Sequence, residues 1–498
     1  MSDFFAATGV GIGPVDGLIV VAYLLATTLF GVWLGRGQAD NRDYFLGAHR
    51  LPTWALLVSI VATETSTVTF LSVPGKSYVE GGSFIFLQIA LGYIVGRLAV
   101  IALLLPAYFR GEMLTAYQVL ERRFGVKTRR LASLVFLITR NLADGLRLFL
   151  TALAINIALG FDMLVCILIT TIATAIYASA GGVRSVVWND CIQFAVYMLG
   201  AFAAAYLLLL QIPGGWEQLV AYGDATGRWR LFDFDPSPWK PTMTFWTGLI
   251  GGGFLSLATH GVDQLIVQRY LCARTQSAAA WALGLSGVVV LAQFALFLFI
   301  GVQLACFNSV AGGIGSEVSG DQAFMTYVVN HMGMGLKGLI LAAVLSAAMS
   351  TLASSLNSSA SSLMGDWITP LMPSLGDRHS LRLSRWLTLL FAAVQCGVAI
   401  GAYALAIEQA IVDAVLKIAG FAIGLLLGLY GLGLLAPRTS ERVALAAFAV
   451  GTAVTSYTAF GTDINGYWYT LVGSGTIVVV GLILSAIYDR RAVPLNSG

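Results

Sequence analysis

Residues 54–75 read WALLVSIVATETSTVTFLSVPG, an apolar run long enough to cross a membrane but polar at its centre. Between positions 63 and 69, hydroxyls or a carboxylate occupy all but one position, at Thr63, Glu64, Thr65, Ser66, Thr67 and Thr69. Hydroxyls can bond back to the main chain, and β-branched residues lower helix propensity. Unwound backbone is tolerated at membrane depth only where it lines a cavity or a site. The stretch therefore predicts an interrupted helix, the alternative being an intact helix that satisfies its own hydroxyls.

The composition places this stretch in a membrane protein. The chain has 498 residues, of which 58% are hydrophobic and 11% charged, and its mean hydropathy is +0.82. A soluble domain carries about 25% charged residues, so much of this surface must face lipid. The five cysteines are scattered through apolar runs and are expected to be packing residues. The first residues lack the basic region of a cleaved signal peptide, so we expect the first span to be retained.

Hydropathy predicts an all-α polytopic protein with about thirteen transmembrane helices. They lie at roughly 15–36, 52–75, 83–109, 131–159, 161–179, 186–212, 243–267, 280–307, 335–364, 383–404, 409–435, 442–461 and 467–487. We expect a single transmembrane domain over residues 1–498. Its predicted parts are a leading helix (15–36), a first repeat (52–212), a second repeat (243–435) and trailing helices (442–487).

Lysine and arginine set the orientation, because cytoplasmic loops retain them. With the N-terminus outside, the predicted inner loops hold 19 of these residues and the outer loops three. The asymmetry predicts an inner-membrane protein with a cytoplasmic C-terminus. The sequence has no P-loop, Cys-x-x-Cys or nucleophile elbow, which argues against ATP hydrolysis by this chain.

The seventh span contains Gly251, Gly252 and Gly253, each of which weakens a helix by about 1 kcal/mol relative to alanine. A second interruption in the second half would be typical of a transporter built from inverted repeats. Close helix packing through small residues is the alternative. We favour an interruption at these glycines.

The ninth span carries small and hydroxyl residues on one helical face, at Ala347, Ser350, Thr351, Ser354, Ser358 and Ser361. Apart from the adjacent pair at 350 and 351, they are three or four residues apart. Sodium is a hard cation that prefers oxygen ligands. Two hydroxyls and the free carbonyls of an unwound helix could supply about five. The alternative is that small residues let neighbouring helices approach closely.

Charged residues within spans are costly in lipid and indicate partners or a site. Arg140, Asp144 and Arg147 share a face of the fourth span, so one arginine is left for a carboxylate-bearing solute or for Glu64. Asp190 either attracts a cation or caps the sixth span. Asp263 is expected to anchor the cytoplasmic end of the seventh span.

Several segments together resemble the solute:sodium symporter family. They are ATETSTVTFLSVPG (62–75), TAYQVLERRFG (115–125), YASAGGVRSVVWNDCIQ (177–193), HGVDQLIVQRYLCAR (260–274) and AAMSTLASSLNSSASSLMGD (347–366). The resemblance implies the leucine-transporter-like fold, with five helices and an inverted copy of five.

The resemblance also implies ligands. A sodium ion would lie between the second and ninth spans, held by the carbonyls of Ala62, Thr65 and Ala347 and the hydroxyls of Ser350 and Thr351. A second sodium would use Asp190, Ser350 and Ser354, but Ala353 stands where a further serine is expected. Solute contacts would come from Glu64, Ser66, Thr69, Gln88, Arg147, Ser256 and Thr259. Sugar carriers of the family resemble one another in an aromatic residue near the position of Thr259, which argues against a plain hexose.

The sequence thus predicts sodium-coupled symport of a small polar solute: a sugar, sugar acid, amino acid or carboxylate. It implies no nucleic-acid or obligate protein partner. A proton-coupled symporter using Glu64 is the nearest alternative. A channel would need a continuous polar pore, and a membrane-embedded enzyme would need a catalytic pair, for which Glu64 and His260 are the candidates.

Overall fold

A computed structural model describes residues 13–488, apart from 37, 39, 112, 238, 241, 316–317 and 407–408. All regular secondary structure of the described residues is helical. The first half contains α1 (Pro14–Leu34), α2 (Asn41–Leu46), α3 (Thr53–Glu64), α4 (Thr67–Tyr78), α5 (Gln88–Ala99), α6 (Leu105–Tyr108), α7 (Gln118–Arg123), α8 (Val126–Leu159), α9 (Met163–Gln211) and α10 (Gly215–Thr226). The predicted all-α class is confirmed.

The second half contains α11 (Gly252–Gly261), α12 (Gln264–Leu271), α13 (Gln276–Ala311), α14 (Gly320–His331), α15 (Leu336–Leu363), α16 (Thr369–Leu371), α17 (Asp377–Ala404), α18 (Gln409–Leu435), α19 (Glu441–Gly461) and α20 (Tyr469–Tyr488). Short 3-10 turns cover Gly47–His49, Phe84–Leu87 and Gly466–Trp468, and π turns cover Val100–Leu104, Thr247–Gly251 and Met364–Ile368.

Eight helices of the described residues are long and apolar enough to cross a membrane, or nine if the bent pair Asn41–His49 and Thr53–Glu64 forms one span. The thirteen predicted segments are helical, yet several are short or charged, so the count of thirteen stays a prediction. Gly160 separates the predicted fourth and fifth spans by ending α8 in a left-handed conformation (φ 67°). The fifth and sixth form the long α9, which is kinked at Gly182 (φ 53°).

The predicted interruption of the second span is present. Helix α3 ends at Glu64 and α4 begins at Thr67, while Thr65 and Ser66 between them have extended backbone angles. The Ser66 hydroxyl accepts a hydrogen bond from the amide of Thr69 at 3.4 Å and so starts the second half-helix. The span is therefore two short helices, and the C-terminus of α3 lies next to the N-terminus of α4 inside the protein.

The seventh span is interrupted at a different place from the one predicted. Its backbone widens to a π turn at Thr247–Gly251 and continues as α11, and the break comes at Val262 and Asp263. Gly252 and Gly253 instead lie where α11 packs on α5, whereas a Cβ at Gly251 would lie 2.6 Å from the carbonyl oxygen of Tyr467. A Cβ at Gly96 of α5 would lie 2.4 Å from the carbonyl oxygen of Gly253. Glycine content alone does not distinguish a break from a close crossing.

Helix α15 forms the centre of the fold. Every residue from Ile340 to Ser362 is buried, including its many serines. It packs against α9, α8, α1, α17 and α3. The hydroxyls of α15 therefore contact protein rather than lipid. Some of them lie at the interruption between α3 and α4.

Candidate functional site

The hydroxyl face of α15 lies directly against the broken end of α3. The Thr351 hydroxyl lies 3.2 Å from the carbonyl oxygen of Thr63 and 3.3 Å from that of Ala347, and its single proton is shared between them. Two turns before Thr351 in α15, the carbonyl oxygen of Val344 accepts a hydrogen bond from the Thr67 hydroxyl at 3.4 Å. The break in the helix leaves the last carbonyls of α3 without their usual amide partners.

The five residues predicted to hold sodium are all buried at this contact. Ala62 is in the last turn of α3 and Thr65 directly follows its end, while Ala347, Ser350 and Thr351 are on α15. Neutral hydroxyl and carbonyl oxygens are suitable ligands for a hard monovalent cation. The predicted residues fit a sodium site, and their role as ligands stays a prediction.

Asp190 lies beside this contact, well inside α9, so it does not cap a helix. Its carboxylate accepts hydrogen bonds from Ser350 at 2.6 Å and Ser59 at 2.5 Å. The Arg269 guanidinium is 3.5 Å from the same carboxylate. Arg269 was predicted to lie in the inner loop between the seventh span (243–267) and the eighth (280–307). In the structure it is completely buried in α12. Arg269 follows the end of the predicted seventh span, so the sequence gave no local sign that it is buried.

A cavity of about 380 Å³ opens next to the α3–α4 break. It is lined by Thr63, Glu64, Ser66, Thr69, Phe136, Thr139, Arg140, Ala143, Arg147, Leu255, Thr259, Asp263, Leu265, Ile266, Thr351, Gly420, Ala422, Ile423 and Leu426. Five of the seven predicted solute contacts are among them: Glu64, Ser66, Thr69, Arg147 and Thr259. Thr351 also lines the cavity, so the predicted sodium and solute residues adjoin.

The other two predicted solute contacts, Gln88 and Ser256, are not among the residues that line the cavity. The Gln88 side chain donates to the carbonyl oxygen of Ile85 at 3.0 Å and accepts from the amide of Asp233 at 3.3 Å. The Ser256 hydroxyl donates to the carbonyl oxygen of Tyr93 at 2.9 Å. In this conformation their polar atoms serve helix and loop packing.

Glu64 has a partner that the sequence did not indicate. The guanidinium of Arg97, fully buried on α5, forms an ion pair with the Glu64 carboxylate. The His260 ring is 3.6 Å from the same carboxylate oxygen. Arg97 is held in turn by the hydroxyl of Ser286 at 3.1 Å. The negative charge of Glu64 is therefore compensated within the protein.

Elsewhere around the cavity, Asp144 of α8 bridges Arg140 and Arg147 of the same helix. It lies 2.7 Å from Arg140 and 2.6 Å from Arg147. Asp263 caps α12 by accepting from the amide of Leu265 at 2.9 Å, and is 3.5 Å from Arg140. The side chain of Arg147 is 31% exposed, against 15% for Arg140. Arg147 thus presents the more accessible positive charge to the cavity.

Comparisons with known proteins place the chain in a family. The family model described as the sodium:solute symporter family matches residues 44–451. Bovine (Bos taurus) sodium-coupled monocarboxylate transporter 2 is 29% identical, covering 90% of this chain and 73% of the relative. A sodium/sialic acid symporter of Proteus mirabilis is 28% identical, covering 96% of both chains. The solved structure of a substrate-bound, outward-open Na⁺-coupled sialic acid symporter superposes with a TM-score of 0.86 at 26% identity, covering 96% of this chain and 98% of that one.

Proposed function

The chain belongs to the sodium:solute symporter family, and from that premise we propose that it carries a small organic anion, a carboxylate or sugar acid, into the cell together with sodium. Membership makes it a multi-pass membrane transporter coupled to sodium. The solute class, the sodium ligands and the inner-membrane orientation with the N-terminus outside are the parts that we propose.

The contact between Thr351 and the carbonyl of Thr63 carries the sodium proposal. It joins an uninterrupted helix to a broken one, so an ion bound between them would stabilise one relative position of α15 and α3. Ligands from Ala62, Thr65, Ala347, Ser350 and Thr351 would all be uncharged. Uncharged ligands leave the ion's charge uncompensated, which favours release once the helices separate.

Arg147 carries the proposal of an anionic solute. Its guanidinium is partly exposed to the cavity and one side of it is paired with Asp144, which leaves N–H groups free to bind a carboxylate. Glu64 would repel an anion if it were unpaired, but Arg97 compensates it. The names of two relatives, a monocarboxylate transporter and a sialic acid symporter, agree with an acid.

Helix α12 supports an alternating-access mechanism. All eight of its residues are buried. Gln264 accepts from the amide of Ala116 at 2.7 Å and donates to the carbonyl of Leu114 at 3.1 Å, and Gln268 donates to Asn357 at 2.8 Å. In the proposed orientation α12 lies on the cytoplasmic side and closes the cavity there. Solute release would require these hydrogen bonds to break.

Proteoliposomes provide the test of this proposal. We expect an inward sodium gradient to drive uptake of a labelled monocarboxylate or sugar acid, and neither a neutral hexose nor a cationic amine to be accumulated. Uptake that is unchanged when potassium replaces sodium would overturn the coupling. Uptake driven by a pH gradient without sodium would favour proton coupling through Glu64 instead. Accumulation of a neutral or cationic solute alone would overturn the assignment to anions.

A further inference from the structure

A second cavity lies at the start of α3 and shares no lining residue with the solute cavity. Its volume is about 270 Å³, and its lining includes Arg50, Arg184, Asp43 and Trp188. Among the described residues, the side chain of neither arginine has an ion-pair or hydrogen-bond partner. Guanidinium groups bind phosphate and carboxylate oxygens through several N–H donors. Two guanidinium groups without a protein partner at one cavity indicate a site for an anion.

The kink of α9 brings the two arginines to the same cavity. At the kink, Gly182 has a φ of 53°, and a Cβ there would lie 2.3 Å from the carbonyl oxygen of Tyr44 on α2. The Tyr44 side chain is fully buried, and its hydroxyl donates to carbonyl oxygens of α9. Arg184 follows the kink by two residues and Arg50 follows α2, so this contact sets the position of both.

The turn before Arg50 has an unusual backbone. Ala48 and His49 both have left-handed angles, with φ of 49° and 53°, a conformation that is costly for residues other than glycine. The turn directs the chain from α2 into α3, and the segment Asn41–His49 makes an angle of 113° with α3. If α3 crosses the membrane, this segment lies close to the membrane surface. The cavity is therefore where lipid meets water.

Two tryptophans agree with this depth. Trp54, in the first turn of α3, is 55% exposed, and its ring centroid is 5.4 Å from that of Trp188 in the cavity lining. Tryptophan is enriched at membrane–water interfaces, where its ring lies at the level of the lipid head groups. An anion at this cavity would therefore have an apolar, lipid-facing surface beside it, which favours a lipid over a soluble anion.

The charges of the cavity match one phosphodiester. The two guanidinium groups and the carboxylate of Asp43 leave a net charge of one positive unit, and a phosphodiester carries one negative unit. Helix α3 also begins here after Pro52, with no side chain that caps its first turn. The unpaired amides at a helix N-terminus favour a negative charge.

We propose that this cavity binds the phosphodiester head group of an anionic membrane lipid. Arg50 and Arg184 would bind the phosphate oxygens, and Trp54 would lie beside the glycerol and the acyl chains. In the proposed orientation the start of α3 is on the cytoplasmic side, whose leaflet contains anionic lipid that basic pockets between transmembrane helices can bind. The inference requires the chain to span a membrane and is independent of the solute and of the sodium ligands.

Native mass spectrometry of the purified full-length chain tests this inference. The chain in detergent is titrated with phosphatidylglycerol, or with phosphatidylcholine of the same acyl chains. We expect one phosphatidylglycerol to bind at least about 10-fold more tightly than phosphatidylcholine, because only the former carries a net negative charge. Excess inorganic phosphate should not displace it. Equal binding of the two lipids would overturn the inference, and displacement by phosphate would assign the cavity to a soluble anion instead.

Variants then test the two arginines. Arg50→Gln/Arg184→Gln should lower the affinity for phosphatidylglycerol about 30-fold, since each basic residue near a lipid surface contributes about fivefold. Arg378→Gln/Arg382→Gln is the matched control, because it removes two exposed arginines of α17 that do not line the cavity. This control should bind the lipid as the wild type does. Equal losses in the two double variants would mean a general attraction to positive charge and would contradict the inference.

A charge-conserving variant keeps the test open if the glutamine variant does not fold. Arg50→Lys/Arg184→Lys retains both positive charges without the planar fork. We expect it to bind phosphatidylglycerol more weakly than the wild type and to prefer it to phosphatidylcholine. Loss of that preference in the folded lysine variant would show that the charge of the cavity does not select the lipid.

Discussion

The Thr351 hydroxyl and the Thr63 carbonyl oxygen lie 3.2 Å apart, and this hydrogen bond connects the central helix α15 to the broken end of α3. Thr63 also bonds through its hydroxyl to Ser354 at 3.1 Å. One backbone carbonyl and three hydroxyls thus meet where the helix stops. Thr63 and Thr351 also line the cavity together with Glu64, so the proposed ion site and the proposed solute site share the same few residues.

Removing a single hydroxyl from this contact should weaken sodium binding. Thr351→Ala deletes a proposed ligand, and interactions with charged groups contribute about 1.5–3 kcal/mol. We therefore expect the sodium concentration for half-maximal uptake to rise about 10- to 100-fold. Thr351→Ser keeps the hydroxyl and should stay within a few-fold of the wild type. Equal sodium dependence in the alanine variant and the wild type would show that Thr351 is not a ligand.

Arg147→Gln should separate solute binding from sodium binding. The variant loses a charge-assisted bond to the solute, so we expect KM for the transported acid to rise about 10- to 100-fold. Sodium binding measured without solute should change little, because Arg147 is on α8 and the proposed ligands are on α3 and α15. Arg147→Lys retains the charge without the planar fork and should fall between the two. An unchanged KM in Arg147→Gln would exclude Arg147 from the solute site.

Glu64 and Arg97 should behave as a coupled pair. Arg97→Gln leaves a largely buried carboxylate without its partner, a change that costs about 3–5 kcal/mol in other proteins. We expect a clear loss of thermal stability for Arg97→Gln. The double variant Glu64→Gln/Arg97→Gln removes both charges and should recover part of that loss. If the two single effects simply add in the double variant, the ion pair does not form in solution.

Local composition made some of these features predictable and left others hidden. The break at Thr65 and Ser66 follows from hydroxyls and a carboxylate crowded into one apolar run, and the face of Ser350 and Thr351 follows from helical spacing. The partners Arg97 and Arg269 could not be inferred, because each pairs with a residue distant in sequence and nothing nearby marks it. The break at Val262 was missed because Gly251–Gly253 offered a more obvious signal, although two of these glycines, Gly252 and Gly253, lie where α11 packs on α5.

Gly96 should be required for the close packing of α5 on α11. In Gly96→Ala the new Cβ would lie 2.4 Å from the Gly253 carbonyl oxygen and 2.6 Å from the Ser256 Cβ, so α5 and α11 would have to move apart. We expect a loss of thermal stability and of uptake. Gly397→Ala is the matched control, because a Cβ there meets nothing within 4 Å and alanine favours a helix by about 1 kcal/mol. Similar stabilities of the two variants would refute the close crossing.

Asp16 should stabilise the start of α15. It is on α1, the leading helix that precedes the two predicted repeats. Its buried carboxylate accepts hydrogen bonds from the amides of Gly335 at 2.7 Å and Gly338 at 2.8 Å, where α15 begins. Helix N-termini have unpaired amides and favour a negative charge. In Asp16→Ala water cannot easily replace the carboxylate, so we expect a loss of about 1–2 kcal/mol in stability, measured by thermal unfolding.

The exposed cap of α9 provides the comparison for Asp16. Asp162 accepts from the amide of Leu164 at 2.8 Å in the same way, but water can reach that amide when the side chain is removed. Asp162→Ala should therefore cost less than Asp16→Ala, although each variant deletes one capping carboxylate. Asp16→Asn, which keeps an acceptor oxygen without the charge, should fall between Asp16→Ala and the wild type. An Asp162→Ala variant less stable than Asp16→Ala would mean that burial of Asp16 adds nothing to the cap, and that α1 does not hold the start of α15.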